Sequence, residues 1–272
     1  MKEKKSNLVS AVQLTIRILD ELALANRAMG VTELADALGE TKPRIHRHLT
    51  TLKETGVVQQ DQATDRYLLG WRVFQLGEAA STQFDLKARA EPYMTRLRDE
   101  LRETVVLTVP INGRPMVIAN LDALYARITI SVKPGNRPVP QTSALGRVTM
   151  AFSPPEVCEQ LLAEPWSRET PRSVSSPRAV AERLERIRRE FYDFSDGEVL
   201  LGINTLAVPI FRDGMVLAGV FGIVGSVQNI PSPPHPEQIT LLQECAAELS
   251  AQLNSEAYAR WREQRTPSET AQ

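Results

Sequence analysis

Two of the three histidines in this 272-residue chain, His46 and His48, fall inside LGETKPRIHRHLTTLKETGVV (residues 38–58), beside Lys42, Arg44 and Arg47. Side chains of these types can hold a metal, relay a proton or meet a polyanion. Geometry disfavours the first: residues two apart on a helix diverge by about 200°, so the two imidazoles cannot converge on one ion. Cys158 and Cys245 lie far apart with no second Cys or His at ligand spacing, so both read as reduced thiols, and neither a metal site nor a disulfide framework is expected. A second candidate is the carboxylate pair Asp196 and Glu198 with Thr205 as a hydroxyl partner. No base, phosphate loop or nucleophile elbow accompanies them. They read more simply as surface carboxylates in a loop after a helix, with no cofactor, and an enzyme that converts a small molecule stays as the alternative.

The basic stretch needs an element to hold it. LVSAVQLTIRILDELALAN carries apolar residues at Leu8, Val12, Ile16, Leu19 and Leu22, the spacing of an amphipathic helix. TELADALG follows as a short helix, with Thr32 as its N-cap and Gly39 as its stop. A third helix starts behind Thr41, takes Pro43 in its first turn and runs to Glu54. GVVQQDQATDRYLLG then reads as strands at 57–60 and 66–69 around a polar turn. Helix, helix, turn, helix, hairpin is a winged helix-turn-helix. Its third helix buries Ile45, His48, Leu49 and Leu52 and turns Lys42, Arg44, His46, Arg47 and Thr50 elsewhere.

On a second helix of this motif, a basic face belongs in the major groove. Arg suits guanine O6 and N7, Lys and the helix start suit phosphate, and Thr meets a thymine methyl or a phosphate. The expected DNA contacts are Thr32, Lys42, Pro43, Arg44, His46, Arg47 and Thr50, with Arg66 beside the wing turn reaching the minor groove or backbone. The rival reading is a protein-docking module whose basic helix faces an acidic partner. Net charge is −1, so affinity for DNA must come from this local patch.

Beyond residue 70 the pattern divides into a linker helix at 71–84 and an effector domain at 85–262, after a DNA-binding domain at 8–70 and before a flexible tail at 263–272. In the linker, Val73, Phe74, Leu76 and Ala80 form a dimer-forming side. The effector domain alternates helices (86–102, 142–152, 177–191 and one long helix at 236–261) with strands at 104–111, 114–122, 127–133, 203–211 and 215–225. Asn112-Gly113 and Asp213-Gly214 mark hairpin turns. The class is α+β with an antiparallel sheet flanked by helices. The longest apolar runs fall short of the ~20 residues of a membrane span, and the basic start MKEKK leads into no secretory core. A cytoplasmic protein without a membrane partner is expected.

Three co-linear stretches, VTELADALGETKPRIHRHLTTLKETGVVQQDQATDRYLLG, PVPQTSALGRVTMAF and FYDFSDGEVLLGINTLAVPIF, resemble the IclR family of bacterial transcriptional regulators from about Val9 to Trp261. The resemblance implies a winged helix, a linker helix and an effector domain with a six-stranded antiparallel sheet. It also implies a homodimer or dimer of dimers on a palindromic operator of double-stranded DNA, with RNA polymerase a further partner of an activator. Such a protein senses a small-molecule effector and regulates a catabolic operon. The matching positions here are Ser195, Asp196 and Glu198, then Thr205, then Phe221, Gly222 and Ile223, so two small hydroxyls of the family pattern have become large apolar groups. With the helix start at Ser143, Ala144, Leu145 and Gly146 offering N–H groups to a carboxylate, Phe221 and Ile223 are expected to wall a pocket for an aromatic carboxylate, beside Ser195, Asp196 and Thr205.

Overall fold

A computed structural model describes residues 9–81, 86–124, 130–174 and 176–265. The chain divides into two compact units, Met1–Asp85 and Leu86–Gln272.

The first unit opens with α1 (Ser10–Ala25), α2 (Val31–Leu38) and α3 (Lys42–Glu54) and closes with the hairpin β1 (Val58–Gln60) and β2 (Tyr67–Leu69), then α4 (Trp71–Ser81). Its core is Leu14, Ile18 and Leu22 of α1, Leu34 and Ala35 of α2, Ile45, Leu49 and Leu52 of α3, with Met29, Val58 and Tyr67. The buried face of α1 differs from the expected one. Val12 and Ile16 stand 59% and 51% exposed, because the helix is apolar on two sides and the Leu14–Ile18–Leu22 row is the one that meets α2 and α3. Leu8 lies outside the described residues. Gly30, not Thr32, occupies the N-cap of α2, and the Glu33 carboxylate accepts from the Gly30 N–H at 3.0 Å. Gly39 ends α2 in a left-handed conformation (φ 66°), as a C-terminal glycine does without Cβ strain. Thr41 and Pro43 sit at the start of α3 as read from the sequence.

The second unit is built on a five-stranded antiparallel sheet in the order β4-β3-β7-β6-β5, with β3 at Thr104–Ile111, β4 at Arg114–Leu121, β5 at Asp193–Leu200, β6 at Ile203–Arg212 and β7 at Val216–Ser226. Six strands were implied. Of the expected strand at 127–133, residues 127–129 lie outside the described residues and 130–133 carry no strand; the following segment touches β4 through backbone bonds between Val117 and residues 135–136. In exchange, 193–200, expected as loop, is the edge strand β5. The hairpin turns carry positive φ at Asn112 and Gly113 and at Asp213 and Gly214, the twist that two-residue connections favour.

Helices α5 (Leu86–Leu101) and α9 (Pro236–Gln252) cover one sheet face, and α6 (Ala144–Ala151) covers the other, with α7 (Pro155–Ala163) and α8 (Pro177–Glu190) outside it. The long closing helix breaks in two. Asn254 adopts φ 60°, and α10 (Ala257–Arg265) turns back so that the Tyr258 hydroxyl donates to the Pro209 carbonyl (2.8 Å) and Trp261 stacks on Phe191 (5.2 Å). Residues 263–265 of the expected tail are therefore helix, and 266–272 lie outside the described residues, as do linker residues 82–84.

Candidate functional site

On α3, Ile45 and Leu49 are fully buried while Lys42, Pro43, His46, Arg47 and Thr50 are exposed. Thr50 returns its hydroxyl to the His46 carbonyl (3.0 Å). Arg44 is half-buried and pairs with Glu40 at 2.9 Å. His48 turns inward, with Nδ1 2.9 Å from the Thr15 hydroxyl, which itself donates to the Ala11 carbonyl (2.9 Å). With that proton committed, Nδ1 carries the ring hydrogen. Burial, then the Arg47 and Arg44 charges, push the His48 pKa below its ordinary value, which favours the neutral ring.

Arg66 does not stand free at the wing. Its guanidinium bonds Glu33 (2.9 Å) and the Ala28 carbonyl (3.2 Å), which ties the hairpin to the start of α2. Glu33 is thus shared between the Gly30 N–H, Arg27 and Arg66. The Gly30 bond holds its carboxyl below the usual range, helped by both arginines. Thr32 is exposed on the first turn of α2.

In the second unit, strand alternation decides which residues share a face. A Cβ on Gly222 would meet Leu145 of α6 at 2.7 Å, and one on Gly219 would meet Leu86 of α5 at 3.0 Å. Phe221 and Ile223 therefore face α5 and α9, away from the start of α6, and both are fully buried core. They cannot wall a pocket with Ser143–Gly146. The registers Ser195↔Thr205↔Val224 and Asp193↔Ala207↔Gly222 put these small or polar residues on the α6 side instead.

Ser143 caps α6: its Oγ accepts from the Gly146 N–H (3.0 Å) and donates to the Val139 carbonyl (2.7 Å). The N–H groups of Ala144 and Leu145 find no acceptor among the described residues although both residues are buried. Ser195 Oγ accepts from the Thr205 N–H at 3.0 Å. Asp196 is half-exposed and held by Arg172 at 2.8 Å.

The carboxylate pair is not a catalytic couple. Glu198 is buried and divides its oxygens between Arg147 (2.6 Å) and Arg183 (2.7 Å). Arg147, on α6 and without exposed surface, also binds Asp193 at 2.6 Å, which takes Arg183 at 2.8 Å and Arg186 at 3.0 Å. This cluster, buried at Arg147, Asp193 and Glu198, pins α6 and α8 to the edge strand β5. Sequence reasoning missed it, since Arg147, Arg183 and Asp193 come from three elements and share no local motif. Both cysteines are buried thiols, Cys245 pushed up to about 11 by burial. Among the described residues no His, Cys, Asp and Glu group could hold a metal, and no helix is long and apolar enough to cross a membrane.

A helix-turn-helix with an exposed basic helix, followed by a sheet domain with open donors under a short helix, defines a DNA-binding transcriptional regulator with an effector-binding domain. The comparisons agree: residues 11–62 match the IclR helix-turn-helix domain and residues 78–251 match the bacterial transcriptional regulator IclR C-terminal domain. The chain belongs to the IclR family. It is similar to the HTH-type transcriptional regulator KdgR of Escherichia coli (28% identity over 258 residues, 94% of this chain and 97% of that one). Among solved structures it resembles an IclR transcriptional regulator from Alicyclobacillus acidocaldarius (27% identity, TM-score 0.77, covering 90% of this chain and 98% of that one). An IclR homologue from Microbacterium hydrocarbonoxydans, complexed with 4-hydroxybenzoate, shares the fold at 22% identity (TM-score 0.78, covering 90% and 99%). These relatives are regulators, not enzymes.

Proposed function

We propose that the protein is a cytoplasmic, ligand-responsive regulator of a catabolic operon, binding a palindromic operator as a homodimer or dimer of dimers and sensing a small carboxylated metabolite. The observation that carries the DNA half is α3: Lys42, His46, Arg47 and Thr50 are exposed on a helix whose other side is core. Arg47 is the base-reading candidate and Lys42 the phosphate contact; Arg44 and Arg66 act first as intramolecular partners. Apolar residues exposed on the same unit, Ile16 of α1 and Trp71 and Phe74 of α4, stacked at 4.6 Å, support a homodimer. An activator of this kind would also meet RNA polymerase.

The unpaired N–H groups of Ala144 and Leu145 support carboxylate recognition at the start of α6. Ser195, Thr205 and Val224, on the sheet face that α6 covers, are small, which suits a compact acid. The aromatic body expected from Phe221 and Ile223 has no walls there. In the regulatory cycle the effector binds one arrangement of the dimer better than another and so shifts the spacing of the two winged helices.

Electrophoretic titration on the operator tests the first half. Arg47→Ala is expected to cost about 1–3 kcal/mol and relax one base position, and Lys42→Ala to weaken all sequences alike. Unchanged shifts for both variants would refute the assignment. Calorimetry with short-chain and aromatic acids tests the second: short-chain acids should bind and Thr205→Val should weaken them, while indifference to that substitution would remove the α6 site.

A further inference from the structure

A concavity lies against the loop that leads into α6. It is a cleft of about 320 Å³ between the start of β4, residues 137–141 and the segment after α7, lined by Arg114, Arg137, Pro138, Pro140, Pro165 and Trp166 among others. That volume is at the small end of ligand sites, which run from about 300 Å³ upward. Three features give it chemical character. Arg114 pairs with Glu164 across the cleft, while Arg137 is exposed and its guanidinium bonds none of the described residues, so the cleft carries a surplus cation. Trp166 is held by its Nε1–H on the Val174 carbonyl (3.1 Å), which leaves the rest of a half-buried indole to the lining. The prolines add flat apolar walls with no N–H to satisfy.

The loop itself is tied inward. The Val139 carbonyl accepts from both the N–H (3.1 Å) and Oγ of Ser143, and the Gln141 carbonyl accepts from Arg147 (3.1 Å). The Gln141 side chain donates to the Leu161 carbonyl (2.6 Å), and Pro140 lies so close to Gly146 that a Cβ there would sit 2.5 Å from it. Whatever presses on the cleft side of this loop presses on the cap of α6.

We propose that the cleft is a second ligand site, for a small planar anion such as an aromatic carboxylate, with the carboxylate on Arg137 and the ring against Trp166 and the prolines, acting on α6 through residues 137–141. The site stands on the cleft alone; its regulatory meaning rests on the effector reading above.

The test is calorimetry of the full chain with benzoate as probe and acetate as control. Benzoate should saturate the wild type, and Arg137→Ala should weaken it by about tenfold or more, the loss of a charge-assisted bond. Arg137→Lys should retain part of the affinity, Thr205→Val should leave benzoate unaffected, and acetate should bind this site far more weakly. Equal affinity in wild type and Arg137→Ala, or no saturable benzoate heat, overturns the proposal. Loss of benzoate on Thr205→Val but not on Arg137→Ala also overturns it, and leaves the α6 effector site standing. Sensitivity to Arg137→Ala with no short-chain acid responding to Thr205→Val upholds this cleft while removing the α6 site.

Discussion

Arg147 has no exposed surface, and Asp193 and Glu198 are buried beside it, so deleting Arg147 strips a charge-assisted bond from each of two buried carboxylates and leaves them to Arg183 and Arg186. Arg147→Met is expected to cost about 3–5 kcal/mol in urea unfolding, against under about 1 kcal/mol for Arg178→Ala at the exposed pair with Glu182. His48 gives a pH signature. Its folded pKa lies below the ordinary 6.5, so the unfolded chain takes up the proton first, and stability is full above that value and falls as pH drops below it. The melting temperature should decline as the pH falls below about 6.5, and His48→Gln should flatten that decline. Among single residues, the outward set on α3 was legible because a helix with a strong apolar row has only one other side. Glu198 was not. A carboxylate in a polar run reads as surface until a buried arginine from another element turns up beside it.

Elements repeat the lesson at larger spacing. Periodicity located α1, but two apolar rows are offset by two residues, Val12–Ile16 and Leu14–Ile18–Leu22, and only the packing of α2 and α3 chooses between them. The strand β5 escaped because DFSDGEVL lacks the β-branched, apolar alternation of a half-buried strand; its buried carboxylates, Asp193 and Glu198, are satisfied by arginines of α6 and α8. The side taken by Phe221 and Ile223 is a further case: alternation separates them from Gly222, and which face α6 occupies is tertiary information. Gly146 shows how tightly α6 is seated. A methyl there would stand 2.5 Å from Pro140 and 2.7 Å from Ser143 Oγ, so Gly146→Ala should cost about 1–3 kcal/mol by overpacking. It should also weaken carboxylate binding in calorimetry, since it shifts the donors at the start of the helix.

At the scale of the molecule, the buried apolar residues form two separate clusters, one within residues 14–67 and one within 90–258. Two calorimetric transitions are therefore expected, with the smaller unit, which has less core for its surface, melting first. If the exposed apolar faces of α1 and α4 pair two copies, Ile16→Glu and Phe74→Glu should shift sedimentation toward the monomer and lower operator affinity together.

The division of charge has a practical consequence. Lys42 and Arg47 lie in solvent, within reach of counterions whose screening length is about 8 Å at 0.15 M salt, and each phosphate contact they make is paid back as a steeper dependence on ionic strength. Arg147, Asp193 and Glu198 are buried away from those ions. Raising the salt should strip the protein from its operator while the sheet domain keeps its stability, so one salt titration separates contact with DNA from the integrity of the effector domain.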